Sequence, residues 1–155
     1  MQSVYVLIGA PACGKTYWAL QNAERLHATI LSADTVRDEI RRAGGDPFDG
    51  DRVFAEVGRK LDGLLAQGES VIVDATHWQR LYRAYAVDSA RAARAQVVGV
   101  WFDIPLSVCL QRNDERLGDS PGLRREEPDV LRRIHAGLEP PGADEMDEIL
   151  RLTQV

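Results

Sequence analysis

One stretch near the start of the sequence has residue types and a spacing suited to holding phosphate groups. Residues 9 to 16 fit the pattern G-x-x-x-x-G-K-[ST]. Glycines let the backbone curve around phosphate oxygens, so that successive N–H groups point toward the anion. We therefore predict a phosphate-binding loop that consists of Gly9, Ala10, Pro11, Ala12, Cys13, Gly14, Lys15 and Thr16.

Two side chains of this loop have separate predicted roles. The ammonium of Lys15 can pair with the β and γ phosphates of a nucleoside triphosphate, and the hydroxyl of Thr16 can bind Mg²⁺. A glycine-rich turn without a ligand would account for Gly9 and Gly14, but it would require neither the lysine nor the threonine. We expect ATP, or another nucleoside triphosphate, to bind here together with Mg²⁺.

The residues around the loop predict the strand and the helix that such a loop requires. The apolar run Val4 to Ile8 precedes it and is typical of a buried strand. A helical pattern follows from Tyr17 to Leu26, with Trp18, Leu20 and Ala23 expected to pack on the sheet. The positive end of the helix dipole would add to the attraction for phosphate.

Strand and helix patterns continue to alternate after the loop, which predicts an α/β fold. We expect about five parallel strands with helices on both faces, one domain over residues 1–155, and ligands at the carboxyl ends of the strands. The further strands are predicted at 28–32, 70–74, 96–104 and 148–152, and the further helices at 34–42, 51–67, 80–95, 105–117 and 128–138.

Asp34 and Arg37 form a second candidate group at the end of the second predicted strand. They are three residues apart, and therefore lie on one face of the helix that follows. Asp34 can accept a proton from an attacking hydroxyl, while Arg37 can hold that carboxylate and an acceptor phosphate by forked hydrogen bonds. In the alternative interpretation, Asp34 is only the N-cap of this helix and Arg37 is a surface residue.

Asp74 ends the apolar strand predicted at 70–74. A carboxylate at this place can order the water molecules around Mg²⁺. Alternatively, it caps the turn formed by the next three residues. His77, which ends that turn, could contact the acceptor, although a single histidine in a loop more often has no role in the chemistry.

Arg112 and Arg116 are four residues apart and are predicted to lie on one face of the helix at 105–117. A connection at 118–122 that we expect to be mobile follows them, so that 112–127 is interpreted as a lid over the triphosphate. Arg116 would then neutralise the group being transferred, and both arginines would bind the nucleotide. The alternative is a solvated helix face, because acidic residues lie between the two arginines.

The net charge of −5 comes entirely from the acidic residues in 139–148. The remaining chain is neutral, which argues against tight nonspecific duplex binding but permits a local basic pocket. Four arginines, Arg80, Arg83, Arg91 and Arg94, are predicted to form a stripe on one helix. Such stripes are usually solvated, and the alternative is that this one follows a nucleic-acid backbone.

Cysteine usage and hydropathy indicate a reduced, cytoplasmic protein without a membrane partner. The sequence has two cysteines, Cys13 and Cys109, which do not make a disulfide framework. No apolar run approaches the length of a bilayer span, and the first residues do not have the pattern of a secretion leader. Cys13 occupies a variable position of the loop pattern and has no predicted role in binding. The alternative is that its thiol has a redox role.

Together these residues resemble the P-loop kinase family that includes the 5′-hydroxyl polynucleotide kinases. The resemblance implies a P-loop NTPase fold of the kinase type with a helical lid. It places Lys15 and Thr16 on the phosphate and metal residues, Asp34 on the general base, Arg37 on the acceptor-phosphate arginine and Asp74 on the strand-end aspartate.

The resemblance extends to the predicted lid. Residues 112–116, Arg-Asn-Asp-Glu-Arg, resemble the R-N-x-x-R of that family, and residues 128–132 resemble the helix after it. One departure is His77, since these kinases often carry Asp-x-Thr-Asn where this chain has Asp74-Ala75-Thr76-His77. A second departure is that the polynucleotide kinases of that family commonly carry a phosphatase or ligase domain, and none is recognised in this sequence. The resemblance leaves open that partner proteins supply a sealing or phosphatase activity.

The resemblance implies transfer of the γ-phosphoryl group of ATP to the 5′-hydroxyl end of DNA or RNA. The same scaffold also serves kinases that act on nucleosides, sugars, antibiotics and other small hydroxyl compounds, which is the nearest alternative. A nucleotide-binding switch or scaffold without catalysis is a third. The chain lacks the Asn-Lys-x-Asp segment that reads guanine, which argues against a GTPase-type switch.

Overall fold

The structure is a computed structural model that describes residues 1–116, 118 and 124–155. The predicted connection at 118–122 lies almost entirely outside the described residues. The same is true of the predicted helix end at Leu117 and of part of the predicted lid.

Parallel strands form the centre of the fold. In the described residues they are β1 (Ser3–Ile8), β2 (Ala28–Ser32), β3 (Ser70–Asp74), β4 (Gln96–Phe102) and β5 (Glu148–Leu152). Their order across the sheet is β2-β3-β1-β4-β5, and every neighbouring pair is parallel. Val6 of the central strand pairs with Val73 on one side and Gly99 on the other. This sheet confirms the predicted fold class and places the loop after β1 beside the end of β3.

Helices cover both faces of the sheet. They are α1 (Lys15–Asn22), α2 (Ala33–Arg42), α3 (Gly50–Ala66), α4 (Arg80–Ala92), α5 (Leu106–Asp114) and α6 (Pro128–Gly137). Helices α2, α3 and α4 pack on the face that carries Val4 and Val6, whereas α1, α5 and α6 pack on the face that carries Leu7. Both faces of β1 are therefore buried, which explains its continuous apolar sequence. Within the described residues, none of the helices has the length and apolar character that crossing a bilayer would require.

Helix α1 differs from the prediction at both ends. It begins at Lys15 rather than Tyr17, because Gly14 at a φ of 104° turns the loop directly into the first helical turn. It ends at Asn22 rather than Leu26, where the chain passes into a series of turns. Leu20 was expected to pack on the sheet, but it is 66% exposed, since Ala19 is the residue of this turn that faces the sheet.

Helix α2 begins at Ala33, and its N-cap is Ser32 rather than Asp34. The hydroxyl of Ser32 accepts a hydrogen bond from the backbone N–H of Thr35. Asp34 therefore lies inside the first turn, and the prediction that it caps the helix was wrong. The reason is that β2 passes into α2 without an intervening loop residue, so that the last residue of the strand becomes the cap.

The remaining boundaries agree with the prediction to within a few residues. Helix α4 ends at Ala92 rather than Ala95, because Arg94 at a φ of 56° turns the chain toward β4. Strand β4 ends at Phe102 rather than Ile104. Gly68, with a φ of 83°, follows α3 as predicted for a helix that closes on glycine.

Candidate active site

A cleft of about 280 Å³ opens at the carboxyl ends of β1, β2 and β3. The phosphate-binding loop forms one part of it and the first turns of α2 form another. Residues from the segments on both sides of the predicted lid connection complete it. The sequence-predicted residues that line the cleft include Lys15, Thr16, Asp34, Arg37, Asp74 and Arg116.

The backbone of the loop has the tight curvature that the sequence pattern predicts. A Cβ atom on Gly9 would lie 2.5 Å from Sγ of Cys13, which is too close. Gly14 has a φ of 104°, a conformation that residues with a side chain rarely adopt, so that both positions require glycine. The N–H of Gly9 donates to the carbonyl of Thr76 at 3.0 Å, which ties the start of the loop to the segment after β3.

Lys15 is folded into the loop and is only 8% exposed. Its ammonium donates to the carbonyls of Gly9 and Ala10 at 2.9 and 2.8 Å. Cys13, whose Sγ lies 3.6 Å from the same ammonium, is fully buried. Burial raises the pKa of this thiol, although Lys15 acts in the opposite direction. The thiol is therefore protonated at neutral pH, which argues against the redox role considered for Cys13.

Thr16 and Asp74 meet at the base of the loop. The hydroxyl of Thr16 donates to Oδ2 of Asp74 at 2.7 Å. The aspartate is 6% exposed, and its pKa is raised by burial while Lys15 and Thr16 lower it. The described residues hold no cluster of three or more His, Cys, Asp and Glu. Two adjacent oxygen donors without such a cage fit Mg²⁺, which takes its other ligands from substrate phosphates and water.

Asp34 and Arg37 lie on one face of α2, and this face lines the cleft. Nη1 of Arg37 is 3.0 Å from Oδ1 of Asp34, and the two side chains are 27% and 38% exposed. The guanidinium of Arg37 also lies 5.9 Å from the ring centroid of Phe54. The arginine thus holds the carboxylate at the cleft wall, in reach of a ligand that enters from solvent.

Arg112 and Arg116 do not share a helix face, and this prediction was wrong. Helix α5 ends at Asp114, so Arg116 follows the helix instead of occupying its next turn. Arg112 donates to the carbonyls of Cys13 and Val155 at 3.3 and 2.6 Å, which places it against the loop. Arg116 lines the cleft itself. Burial lowers the pKa of its guanidinium, although Asp34 and other acidic groups act in the opposite direction.

Asn113 fixes the two sides of the predicted lid to each other. Its amide donates to the carbonyl of Glu126 and accepts from the N–H of Glu126, both at 2.8 Å. Arg116 in turn donates to the carbonyl of Arg124 at 3.0 Å. These bonds bring the residues before and after the predicted connection to the same side of the cleft.

His77 does not line the cleft, although the sequence left a contact with the acceptor open. The side chain is fully enclosed, and Nδ1 donates to the carbonyl of Leu7 at 2.8 Å. Nε2 must then accept, and the hydroxyl of Tyr85 donates to it at 2.7 Å. Burial lowers the pKa of His77 to about 4, so that the ring is neutral at pH 7. His77 therefore connects β1 to α4 and has a structural role.

The predicted arginine stripe is not one solvated face, because Arg83 is buried while Arg80, Arg91 and Arg94 are exposed. Arg83 is completely buried, and Nε and Nη2 donate to the carboxylate of Glu145 at 2.6 and 2.9 Å. Arg80 pairs with Asp144 at 2.7 Å, and Arg91 donates to the carbonyl of Glu145. The prediction failed because the acidic segment at 139–148 folds back onto α4.

The cleft residues that were not singled out from the sequence include Phe48, Phe54, Arg124 and Glu126. Phe48 lies in the loop between α2 and α3, and the two charged residues follow the predicted lid connection. An aromatic residue in a loop of Gly, Asp and Pro is the one local signal that could have identified Phe48. The others reach the cleft only through the packing of distant elements.

The fold and the geometry of the cleft define a P-loop protein of the kinase type. The model of the AAA domain family matches residues 4–141, and the chain belongs to this family. The match includes the phosphate-binding loop and all the cleft residues described above. Among the curated proteins, none matches the sequence significantly.

Solved structures with the same fold include several kinases. A candidate kinase from Chloroflexus aurantiacus has a TM-score of 0.77 at 18% identity, over 98% of this chain and 88% of that one. A gluconokinase from Sinorhizobium meliloti has a TM-score of 0.67 at 20% identity, over 97% and 82%. A chain of the Pnkp1/Rnl/Hen1 RNA repair complex has a TM-score of 0.73 at 22% identity, over 88% of this chain and 44% of that one. At these identities the likeness concerns the fold.

Proposed function

We propose that the chain is a Mg²⁺-dependent kinase that transfers the γ-phosphoryl group of ATP, or of another nucleoside triphosphate, to the 5′-hydroxyl end of DNA or RNA. The observation that carries this proposal is the placement of Asp34 and Arg37 in the same cleft as Lys15, Thr16 and Asp74. A proton acceptor and a phosphate-binding loop in one cleft are the two parts that phosphoryl transfer to an alcohol requires.

The loop residues bind the donor in this proposal. Backbone N–H groups and the ammonium of Lys15 surround the phosphates, and Thr16 and Asp74 would hold the Mg²⁺. When bound, this ion supplies positive charge that neutralises the phosphate oxygens. Arg112, which contacts the loop from outside the cleft, is proposed to bind the nucleotide as well.

Asp34 and Arg37 act on the acceptor. The carboxylate of Asp34 takes the proton of the 5′-hydroxyl while the hydroxyl oxygen forms a bond to the γ-phosphorus. The bond between that phosphorus and the bridging oxygen breaks, and the nucleoside diphosphate leaves. Arg37 orients the carboxylate at 3.0 Å and binds an acceptor phosphate, while Arg116 offsets the charge of the transferred group.

The charge of the cleft supports a polynucleotide acceptor. Three arginines line it, namely Arg37, Arg116 and Arg124. An oligonucleotide has a phosphate on the 3′ side of the nucleoside that carries its 5′-hydroxyl. This phosphate would be the partner of Arg37 when the hydroxyl is at Asp34. The similarity in fold to a chain of an RNA repair complex also supports this acceptor class.

A small hydroxyl compound is the second candidate acceptor. The gluconokinase matches this fold over most of both chains, whereas the chain of the RNA repair complex is matched over 44% of its length. The volume of the cleft, about 280 Å³, is also that of a pocket for a small ligand. The catalytic residues would have the same roles with either acceptor.

Transfer from γ-labelled ATP to a panel of acceptors tests the proposal. The panel contains DNA and RNA oligonucleotides with a 5′-hydroxyl, the same oligonucleotides with a 5′-phosphate as matched controls, nucleosides and gluconate. We expect label on the 5′-hydroxyl oligonucleotides alone. Transfer only to a small compound would replace the acceptor class, and transfer to none of them would favour a binding protein without catalysis.

A further inference from the structure

Phe48 is an exposed aromatic residue in a cleft that is otherwise rich in charge. Its side chain is 77% exposed, although it lines the same cleft as Asp34 and Arg37. A phenylalanine left in water does not contribute the stabilisation that its burial would give. The roles proposed above for the phosphate-binding loop and α2 do not explain this position.

The turn before α3 holds Phe48 in place. Its N–H donates to Oδ1 of Asp46 at 2.9 Å, and the next residue, Asp49, caps α3 by accepting from the N–H of Arg52 at 3.2 Å. Phe48 thus occupies the position before the N-cap, where an apolar side chain often packs onto the fourth helical residue, here Val53. Its exposure shows that Phe48 does not make this contact to any large extent, and that its ring remains accessible to a ligand.

The ring of Phe48 faces a cation across the cleft. The guanidinium carbon of Arg124 lies 5.9 Å from the ring centroid. The face of an aromatic ring attracts cations and also stacks on flat aromatic ligands, as does the plane of a guanidinium. A nucleobase that stacks on Phe48 can therefore have the guanidinium of Arg124 at its edge.

The proposed acceptor contains such a flat ring close to its reacting hydroxyl. When the 5′-hydroxyl is at Asp34 and the next phosphate is at Arg37, the sugar lies between these two residues. The nucleobase attached to this sugar must then lie along the wall of the same cleft. Phe54 forms part of this wall beneath the guanidinium of Arg37, at 5.9 Å from its ring centroid. Phe48 lines the same cleft and is the more exposed of the two rings.

From this geometry we infer that Phe48 stacks on the 5′-terminal nucleobase of the acceptor and selects acceptors that carry a base at that position. The inference rests on the proposed function and adds a contact that determines specificity. Stacking on one face does not depend on hydrogen bonds to base edges, so we expect similar use of all four bases. A sugar acceptor has no flat π surface with which to use this contact.

Two oligonucleotides of the same sequence test the inference, one with an ordinary 5′-terminal nucleoside and one whose 5′-terminal sugar is abasic. With the unmodified protein, loss of the base is expected to lower kcat/KM about tenfold. Phe48→Ala should show the same loss, about tenfold, with the ordinary oligonucleotide and little further loss with the abasic one. Phe48→Tyr should restore the preference for the base, and Leu81→Ala, at an exposed apolar residue outside the cleft, should leave both rates unchanged.

Three outcomes would overturn the inference. Equal losses with both oligonucleotides in Phe48→Ala would mean that the ring contacts another part of the acceptor. A raised KM for ATP with unchanged use of the acceptors would instead make Phe48 and Arg124 a latch for the nucleotide. A protein that phosphorylates neither oligonucleotide would fail the proposed function itself, and this result is visible before any variant is made.

Discussion

The two halves of the cleft are built in different ways. The donor half, with Lys15 and Asp74, lies at the carboxyl ends of the inner strands β1 and β3, and these two residues are 8% and 6% exposed. The acceptor half, with Asp34 and Arg37, lies on α2 after the edge strand β2, and these side chains are 38% and 27% exposed. The comparison indicates that the part proposed to bind the nucleotide is buried, while the part proposed to select the acceptor is partly exposed to solvent.

Replacement of the proposed base should separate the two halves most clearly. Asp34→Asn keeps the size of the side chain but cannot accept the proton, so kcat should fall about 10³-fold while the KM for ATP stays nearly the same. Steady-state kinetics with both substrates varied measures this. Asp38→Asn, one turn further along α2 at a residue paired with Arg42, is the matched control and should retain full activity. Full activity in Asp34→Asn would remove this residue from the mechanism.

A substitution outside the cleft should lower the stability of the protein without a direct effect on either half of the cleft. Arg83→Met would take the buried partner away from the carboxylate of Glu145, which would keep only the longer contacts with Arg80 and the N–H of Gly142, and would free the carbonyls of His77 and Glu139. The free energy of unfolding should fall by about 3–5 kcal/mol. Urea unfolding measures this loss. Arg80→Met, at the neighbouring and partly exposed pair, should cost much less, and equal losses in the two variants would contradict the importance of burial.

His77 adds a pH dependence of stability from a position outside the cleft. Its pKa is about 4 in the folded protein and near 6.5 when unfolded, so that between these values the unfolded state binds the extra proton. Stability from His77 is therefore full above pH 6.5 and is lost as the pH falls toward 4, by about 3 kcal/mol.

The difference in unfolding free energy between the unmodified protein and His77→Gln, measured from pH 7 to pH 4, isolates this contribution. The difference should decrease as the pH falls, because only the unmodified protein has the histidine. A difference that does not vary with pH would show that the ring is not buried in the neutral form.

The smallest expected effect concerns the metal on the donor half. Thr16→Ala removes the hydroxyl that donates to Asp74, and it should raise the Mg²⁺ concentration needed for half-maximal activity by about 10- to 100-fold. Thr16→Ser keeps the hydroxyl and should behave nearly like the unmodified protein. Titration of activity with Mg²⁺ at saturating acceptor measures the shift, and an unchanged requirement would place the metal elsewhere.

The donor half could be predicted from the sequence because its information is local. Eight consecutive residues set the backbone of the loop, and the strand before it is apolar on both faces. The position of Asp74 beside the loop could also be predicted, because the carboxyl ends of adjacent parallel strands lie at the same edge of a sheet and Asp74 ends such a strand. The hydrogen bond between Thr16 and Asp74 agrees with this interpretation.

The acceptor half and its supports could be predicted only in part. The spacing of Asp34 and Arg37 was sufficient to place both on one helix face, but the capping of α2 by Ser32 depends on where β2 ends. The burial of Arg83 depends on an acidic segment more than fifty residues away in sequence. No periodicity along α4 contains that information, because a charged face has the same pattern whether water or a carboxylate covers it.

The position of β2 at the edge of the sheet has a consequence for how acceptor specificity can change. Residues 33–49 follow this strand as one continuous segment that includes Asp34, Arg37 and Phe48. Ala33, Val36 and Ile40 are its buried apolar anchors within the core. We expect that exchange of the cleft-lining residues of this segment, apart from the proposed base Asp34, would change the substrate preference, while the proposed nucleotide-binding residues after the inner strands would stay the same.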